Sequence, residues 1–288
     1  MQAMDSATRP IKDISDRIRA AASDKTPLRI CGGGSKDFYG LRLQGEPLST
    51  RALSGIVSYE PSELVITALA GTPLAELEAL LASQGQCLAF EPPHFGAAST
   101  VGGMVAAGLS GPARANVGAV RDFVLGLEMI NGQGEVLRYG GQVMKNVAGY
   151  DVSRLMAGSW GTLGVITEVS LKVLPVAPAE ATLRFDSCSQ QQALDWLNHW
   201  GGQPLPLNAS NWLEEDGKGT LYLRLRGARA AVQAAILRLG GERLDSDTVA
   251  ADWSASRDLS LPWFQQRAAE HCLWRLSVPA TTAPLQLP

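Results

Sequence analysis

Three histidines and four cysteines are all that this chain of 288 residues offers as soft metal ligands, and neither set is clustered. His94, His199 and His271 are scattered, and Cys31, Cys87, Cys188 and Cys272 form no C-x-x-C pair. Neither a zinc site nor an iron–sulfur cluster has support from such spacing, and the thiols read as buried side chains. Basic charge is also short: 25 Lys and Arg against 28 Asp and Glu leave a formal net charge of -3. A nucleic-acid partner would call for a basic stripe, so that class is set aside. No apolar run reaches the roughly 18 residues that a membrane span needs. Residues 1–24 are polar and mixed in charge, without the apolar segment of a secretory signal. The expectation is a cytoplasmic chain with no transmembrane segment. Three familiar fingerprints are missing too: the Rossmann G-x-G-x-x-G, the Walker A loop and the G-x-S-x-G nucleophile elbow.

What the chain has is glycine, 30 residues of it, punctuating a strand and helix alternation. Apolar residues at helical spacing predict a first helix over 11–22, followed by a short strand over 28–31. Strands are predicted over 55–59 and 64–70, broken at Glu60-Pro61-Ser62 where proline prevents continuation. Thr72 is placed as the cap of a helix over 73–84, with Gly85 just past its end. Strands over 123–130 and 135–139 are joined by Asn131-Gly132-Gln133-Gly134 as a hairpin. A short helix over 151–157 and a long strand over 165–174 close this part.

A proline-rich joint at 176–178 marks the expected boundary between a domain of residues 1–175 and one of residues 176–288, and six of the seven tryptophans lie beyond it. The second part reads strand 181–185, helix 190–200, strands 207–213 and 219–226, helix 228–239, a strand near Arg243 and a last strand over 273–278. Two helices on one antiparallel sheet is the plan this order suggests. Trp196 and Trp200, at helical spacing, read as core; the other late tryptophans fit a pocket or a subunit interface equally well.

Glycines that follow strands are where backbone N–H groups can close on a phosphate without a Cβ in the way. Three clusters qualify: Gly32-Gly33-Gly34-Ser35 after a strand, Ser99-Thr100-Val101-Gly102-Gly103 before an apolar run, and Gly158-Ser159-Trp160-Gly161-Thr162-Leu163-Gly164 before a strand. Each alone is equally a turn. Their order, with the runs F-E-P-P-H-F-G-A-A-S-T-V-G-G from Phe90, V-R-D-F-V-L-G-L-E from Val120 and K-N-V-A-G-Y-D-V-S-R-L from Lys145, resembles the FAD domain of the vanillyl-alcohol-oxidase, or PCMH-type, superfamily. The resemblance covers roughly residues 27–175. Within that superfamily the chain is most similar to the FAD-binding subunits of bacterial glycolate oxidases.

The resemblance implies an α+β fold: a PCMH-type FAD-binding domain of two α/β subdomains, then a smaller, ferredoxin-like cap of antiparallel sheet and helices, expected to be shortened at its carboxy-terminal end. An exposed sheet edge is expected there, and with it poor solubility of the chain without a companion. The resemblance also implies that Gly32, Gly33, Gly34 and Ser35 hold the FAD pyrophosphate, with Ser99, Thr100, Gly102 and Gly103 completing the cradle. Gly158, Gly161 and Thr162 would pack on the flavin side and Val165 and Ile166 at the adenine end; Asn146, Gly149 and Asp151 are further cofactor candidates. Asp122 and Arg114 read as fold-supporting charges. Gly34 stands where covalent relatives carry a flavin-bonding histidine, which implies a dissociable, non-covalent FAD. Trp160 stands where many hydroxy-acid dehydrogenases have glutamate, and the clustered metal ligands of the related catalytic subunits are missing.

The activity so implied is glycolate oxidation to glyoxylate within a complex that includes a catalytic FAD subunit and an iron–sulfur subunit, peripheral to the inner membrane through that complex. A free-standing FAD-dependent 2-hydroxy-acid dehydrogenase and a non-catalytic flavin-fold scaffold are the alternatives. Arg275 is the candidate for a substrate carboxylate, because a guanidinium fork matches two oxygens.

Overall fold

The computed structural model describes residues 2–40, 42–141, 150–268 and 270–285, with side chains from Thr8 onward. Asn146 and Gly149 therefore lie outside the described residues. The chain divides into two compact units, Met1–Gly111 with Gly118–Val176, and Pro112–Val117 with Ala177–Pro288. In chain order the elements are α1 (Gln2–Asp24), β1 (Leu28–Cys31), β2 (Glu46–Ser49), β3 (Ile56–Glu60), β4 (Val65–Leu69), α2 (Leu74–Ser83), β5 (Gln86–Cys87), α3 (Val101–Ala107), α4 (Arg114–Val117), β6 (Val124–Ile130), β7 (Val136–Gly140), α5 (Val152–Leu155), β8 (Val165–Lys172) and β9 (Leu174–Pro175). Then follow β10 (Ala179–Asp186), α6 (Gln190–Gly201), β11 (Leu207–Glu215), β12 (Lys218–Gly227), α7 (Arg229–Leu239), β13 (Glu242–Arg243), α8 (Ser246–Arg257) and α9 (Pro262–Gln265).

The first unit is built on a five-stranded antiparallel sheet in the order β3-β4-β8-β6-β7, with small β1-β2 and β5-β9 pairs beside it. The central strands β4 and β8 carry near-continuous apolar runs, and every residue of Val65–Leu69 is buried. Ile14 and Ile18 of α1 pack with Leu48, Leu53, Leu69, Ile130 and Val165, and Leu28 and Ile30 close on the same cluster. Burying each such side chain stabilises the unit by about 1.5–3 kcal/mol, and this cluster anchors β1 and the glycine loop that leaves it. At the β6-β7 hairpin, Gly134 has φ +73, and a Cβ there would meet Arg19 and the Ser15 carbonyl. Glycine is needed at that turn for both reasons.

Two local expectations change. Thr72 does not cap α2: it is fully buried, and its Oγ1 accepts the Gly55 N–H and donates to the Gly55 carbonyl, tying two loops together. Helix α1 begins well before Ile11 and runs through Pro10, forgoing one backbone hydrogen bond there.

One charged group sits inside this sheet. Glu128 is buried, accepting Arg138 Nε at 2.6 Å and the Thr167 hydroxyl at 2.9 Å. Its cross-strand partner is Glu168. Burial pushes the Glu168 carboxyl above its ordinary value of 4.5, Glu128 adds to the rise and Arg138 opposes it. A carboxyl raised in the folded state disfavours folding when ionised; the penalty is absent below the unfolded pKa and grows as pH rises through the folded one. Glu168→Gln is therefore expected to raise the urea midpoint at pH 7 while leaving it unchanged near pH 4, and a midpoint equal to that of the native chain at both values would contradict this.

The second unit is a four-stranded antiparallel sheet, β11-β12-β10-β13. Along β12, Leu221, Leu223 and Leu225 alternate with Tyr222 and Arg224, as a strand's period of two requires. The leucines and Leu183 pack against α6 and α7, where Trp196 and Trp200 stack with ring centroids 5.8 Å apart. Helix α8 covers Ala209 and Tyr222 through Val249 and Trp253, and Trp253 Nε1 donates to the Thr182 hydroxyl at 2.9 Å. The segment Pro112–Val117 belongs to this unit, with Asn116 donating to the Asn208 carbonyl at 2.9 Å.

The strand expected over 273–278 is not formed. Residues 271–279 are irregular and exposed, and Arg275 stands on that irregular stretch. Alternation of apolar and polar residues supplies a facial pattern, but a strand also needs a partner for its backbone, which tertiary context decides. The cysteines are free and only Cys188 is buried; Cys31 and Cys87 are intermediate and Cys272 is exposed. Asp122 accepts the Ala119 N–H within its own turn, and Arg114 is exposed at the start of α4.

Candidate functional site

Strand β1 delivers the chain into the turn Gly32-Gly33-Gly34-Ser35-Lys36 at the wall of a cavity of about 630 Å³ within the first unit. Ligand pockets run from about 300 to 1,000 Å³, so the volume is that of a sizeable ligand. Gly102, Gly103, Ala106 and Ala107 of α3 form another wall, and Trp160, Gly161, Thr162 and Ile166 a third. Thus Gly32, Gly33, Gly34, Ser35, Thr100, Gly102, Gly103, Gly161, Thr162 and Ile166 are brought together around one space.

Four other candidates do not line it. Ser99 is buried behind the wall, where its Oγ accepts Lys36 Nζ at 3.2 Å. Asp151 caps α5, accepting the Arg154 N–H at 3.1 Å. Gly158 packs back to back with Gly108, and its N–H donates to the Val105 carbonyl at 3.1 Å, which fixes the loop before Trp160 onto α3. Val165 points into the core cluster with Ile14 and Ile18.

The glycines divide by what a side chain would meet. A Cβ on Gly33 would stand 1.4 Å from the Ala98 carbonyl oxygen, and one on Gly102 would stand 2.5 Å from the Ala70 Cβ. These positions let loops close on each other. Gly103 differs: its Cβ would meet only Thr100 Oγ1, at 3.0 Å, and the residue lines the cavity.

The amides divide as well. At the start of α3, the N–H groups of Val101, Gly102 and Gly103 already donate to the Thr72 carbonyl, the Ala70 carbonyl and Thr100 Oγ1. The role expected of Thr100, Gly102 and Gly103 therefore shifts from donating hydrogen bonds to permitting close approach. By contrast, the N–H groups of Gly33, Gly34 and Ser35 donate to no protein acceptor among the described residues. Consecutive amides free on a cavity wall form an anion-binding nest.

Lys36 was missed in the sequence, although a basic residue directly after a glycine run was a readable signal. Its Nζ is held by Ser35 Oγ at 3.3 Å and Ser99 Oγ at 3.2 Å and lies 5.6 Å from the Phe95 ring centroid. Arg29, Lys36 and Arg42 line the cavity against one carboxylate, Asp37, which pairs with Arg29 at 3.4 Å. The balance is cationic. The rest of the lining is largely apolar, with Leu28, Ile30, Ala106, Ile166 and the stacked rings of Tyr39 and Trp160. A free amide nest, excess positive charge and an apolar, aromatic remainder fit the diphosphate and ring system of a flavin dinucleotide.

Residues 7–140 match the family of the FAD binding domain. The chain belongs to the FAD-binding oxidoreductase family of the PCMH type, and FAD is its cofactor. It is 47% identical to glycolate oxidase subunit GlcE of Escherichia coli (strain K12) over 95% of this chain and 75% of that one, and it belongs to that glycolate oxidase subunit family. It is also 30% identical to glycolate oxidase subunit GlcD of Bacillus subtilis (strain 168), over 62% of this chain and 38% of that protein. A D-lactate dehydrogenase of Anaerostipes hadrus is 33% identical over 60% and 36% respectively. Among solved structures, an alkyldihydroxyacetonephosphate synthase superposes with a TM-score of 0.65 at 18% identity, over 86% of this chain and 56% of that one, a likeness of fold.

Proposed function

We propose that this chain is the FAD-bearing redox subunit of a glycolate, or related 2-hydroxy-acid, dehydrogenase complex, working beside a catalytic FAD subunit and an iron–sulfur subunit. The observation that carries this reading is a cavity on which three glycine loops converge, with a free amide nest and, among its described lining residues, neither histidine nor glutamate. The N–H groups of Gly33, Gly34 and Ser35 bind the diphosphate, and the Lys36 ammonium, fixed by two serines, offsets its charge. Gly102 and Gly103 let the α3 backbone approach, Gly161 and Thr162 shape the opposite wall, and Ile30 and Ile166 exclude water. When bound, FAD supplies the capacity to accept a hydride or relay electrons, and the protein supplies binding, orientation and field. Binding is reversible, since Gly34 presents no side chain to bond the flavin.

Abstraction of a hydroxyl proton requires a base within hydrogen-bond reach of the substrate. Among the described residues that line the cavity there is no histidine or glutamate, and Asp37 is paired with Arg29. That composition favours an electron-relaying subunit over a free-standing dehydrogenase and assigns alcohol oxidation to the companion flavoprotein. Arg275, on an exposed irregular stretch, has no part in this reading. Among the described residues no helix is long and apolar enough to cross a membrane, and we place the complex in the cytoplasm, peripheral to the inner membrane.

Anaerobic mixing tests the assignment. The FAD-loaded chain alone is expected to keep its flavin absorbance at about 450 nm when glycolate is added, and to lose it when the catalytic companion is also present. Bleaching by glycolate alone would establish the free-standing dehydrogenase instead, and a purified chain that takes up no FAD would establish the scaffold.

A further inference from the structure

Trp160 has a backbone φ of +51. A bulky residue in the left-handed region is an outlier, and such strain persists where the surroundings enforce it, commonly at ligand sites. Here the enforcing contact is visible: the Trp160 N–H donates to the Ala106 carbonyl at 2.9 Å, and Gly161, at φ +76, continues the turn. Burial of the indole does not account for the strain, because Trp160 remains 44% exposed. Its ring lies on that of Tyr39, with centroids 5.0 Å apart and planes inclined by 19°, and both residues line the cavity. Two loops distant in sequence thus close their rings on each other at the cavity wall, and because the Tyr39 N–H donates to the Lys36 carbonyl at 3.0 Å the pair stands next to the glycine turn, with only the outer ring faces left for a ligand.

We propose that the Trp160–Tyr39 stack is a ring seat whose outer indole face, backed by Tyr39, carries the isoalloxazine of FAD and suppresses its light emission. This rests on the assignment of the cavity to FAD. Offset stacking of flat rings is favourable beyond the area it buries. An electron-rich indole against an excited flavin transfers an electron and returns it, so the excited state decays without light and no net oxidation results. An adenine ring seated there instead would leave the flavin emissive. The strain at Trp160 is then the cost of presenting the indole to the ring.

The test uses the full chain loaded with FAD, comparing the native protein with Trp160→Gly, Trp160→Leu and Tyr39→Leu. Glycine relieves the positive φ, so Trp160→Gly is expected to melt at the native temperature or above while its affinity for FAD falls about tenfold to a hundredfold, the range of one aromatic–base stack. Emission per bound flavin, referenced to the flavin released on denaturation, is expected to rise several-fold in both Trp160 variants and less in Tyr39→Leu, which removes the backing ring but keeps the indole. Native affinity and native darkness in Trp160→Leu at one FAD per chain would overturn the seat. So would weakened competition by ADP with emission unchanged, which would put adenine on the stack. A native chain that takes up no FAD overturns the cofactor-site reading along with the seat, whereas normal uptake with unchanged emission in the variants overturns the seat alone.

Discussion

Gly103→Leu is expected to yield a folded chain that no longer retains FAD. Gly103 lies inside α3, where an ordinary side chain improves helix stability by about 0.5–1 kcal/mol over glycine. The only contact waiting for its Cβ is Thr100 Oγ1 at 3.0 Å, the end of a short side chain. The rest of a leucine must project into the cavity that Gly103 lines. Filling that space opposes the cofactor and not the fold, so the dissociation constant for FAD should rise at least about a hundredfold, or roughly 2.7 kcal/mol. Flavin titration and far-UV circular dichroism on the same sample check both halves. A leucine variant that copurifies with a full complement of FAD would show that the cofactor does not pass Gly103.

Gly33→Ala should act in the opposite way, although the two glycines look alike in the sequence. A single methyl at Gly33 would stand 1.4 Å from the Ala98 carbonyl oxygen and 2.4 Å from its carbon. Backbone cannot rotate aside as a side chain can, so the loops after β1 and before α3 must separate. The cost should reach about 3 kcal/mol, the upper part of the range for overpacked positions. Urea unfolding of the FAD-free chain is the measurement; a midpoint within error of the native one would show that the two loops do not touch as described. Loss of FAD in this variant would follow from the damaged loop, so its spectrum is less informative than that of Gly103→Leu.

The contrast shows what was legible in the sequence. Glycine clusters named segments that meet around one cavity, because the need for a backbone without Cβ is written in residue type. Which glycines face a ligand and which face another loop was not written there, since Gly33 and Ala98 meet only after folding. The free amides of Gly33–Ser35 and the satisfied ones of α3 were indistinguishable for the same reason. Periodicity placed the hairpin at Gly134 and the two helices on the sheet of the second unit. It did not show α8, although Asp245 as N-cap and Val249 and Trp253 at i and i+4 were readable signals. The parallel pairing of Leu28 with Glu46 and the meeting of Tyr39 with Trp160 join separate segments, which no local pattern encodes. The alternating residues 273–278 show the reverse failure, a strand pattern left without a neighbour.

Hydrogen–deuterium exchange with and without FAD reads the convergence of the loops most directly. The amides of Gly33, Gly34 and Ser35 have no protein acceptor among the described residues and should exchange fast in the free chain, then slow sharply when FAD is added, with slowing also at residues 160–164 and little change in the second unit. Unaltered exchange at residues 33–35 in a chain that holds one FAD, or protection confined to residues 177–285, would contradict the site.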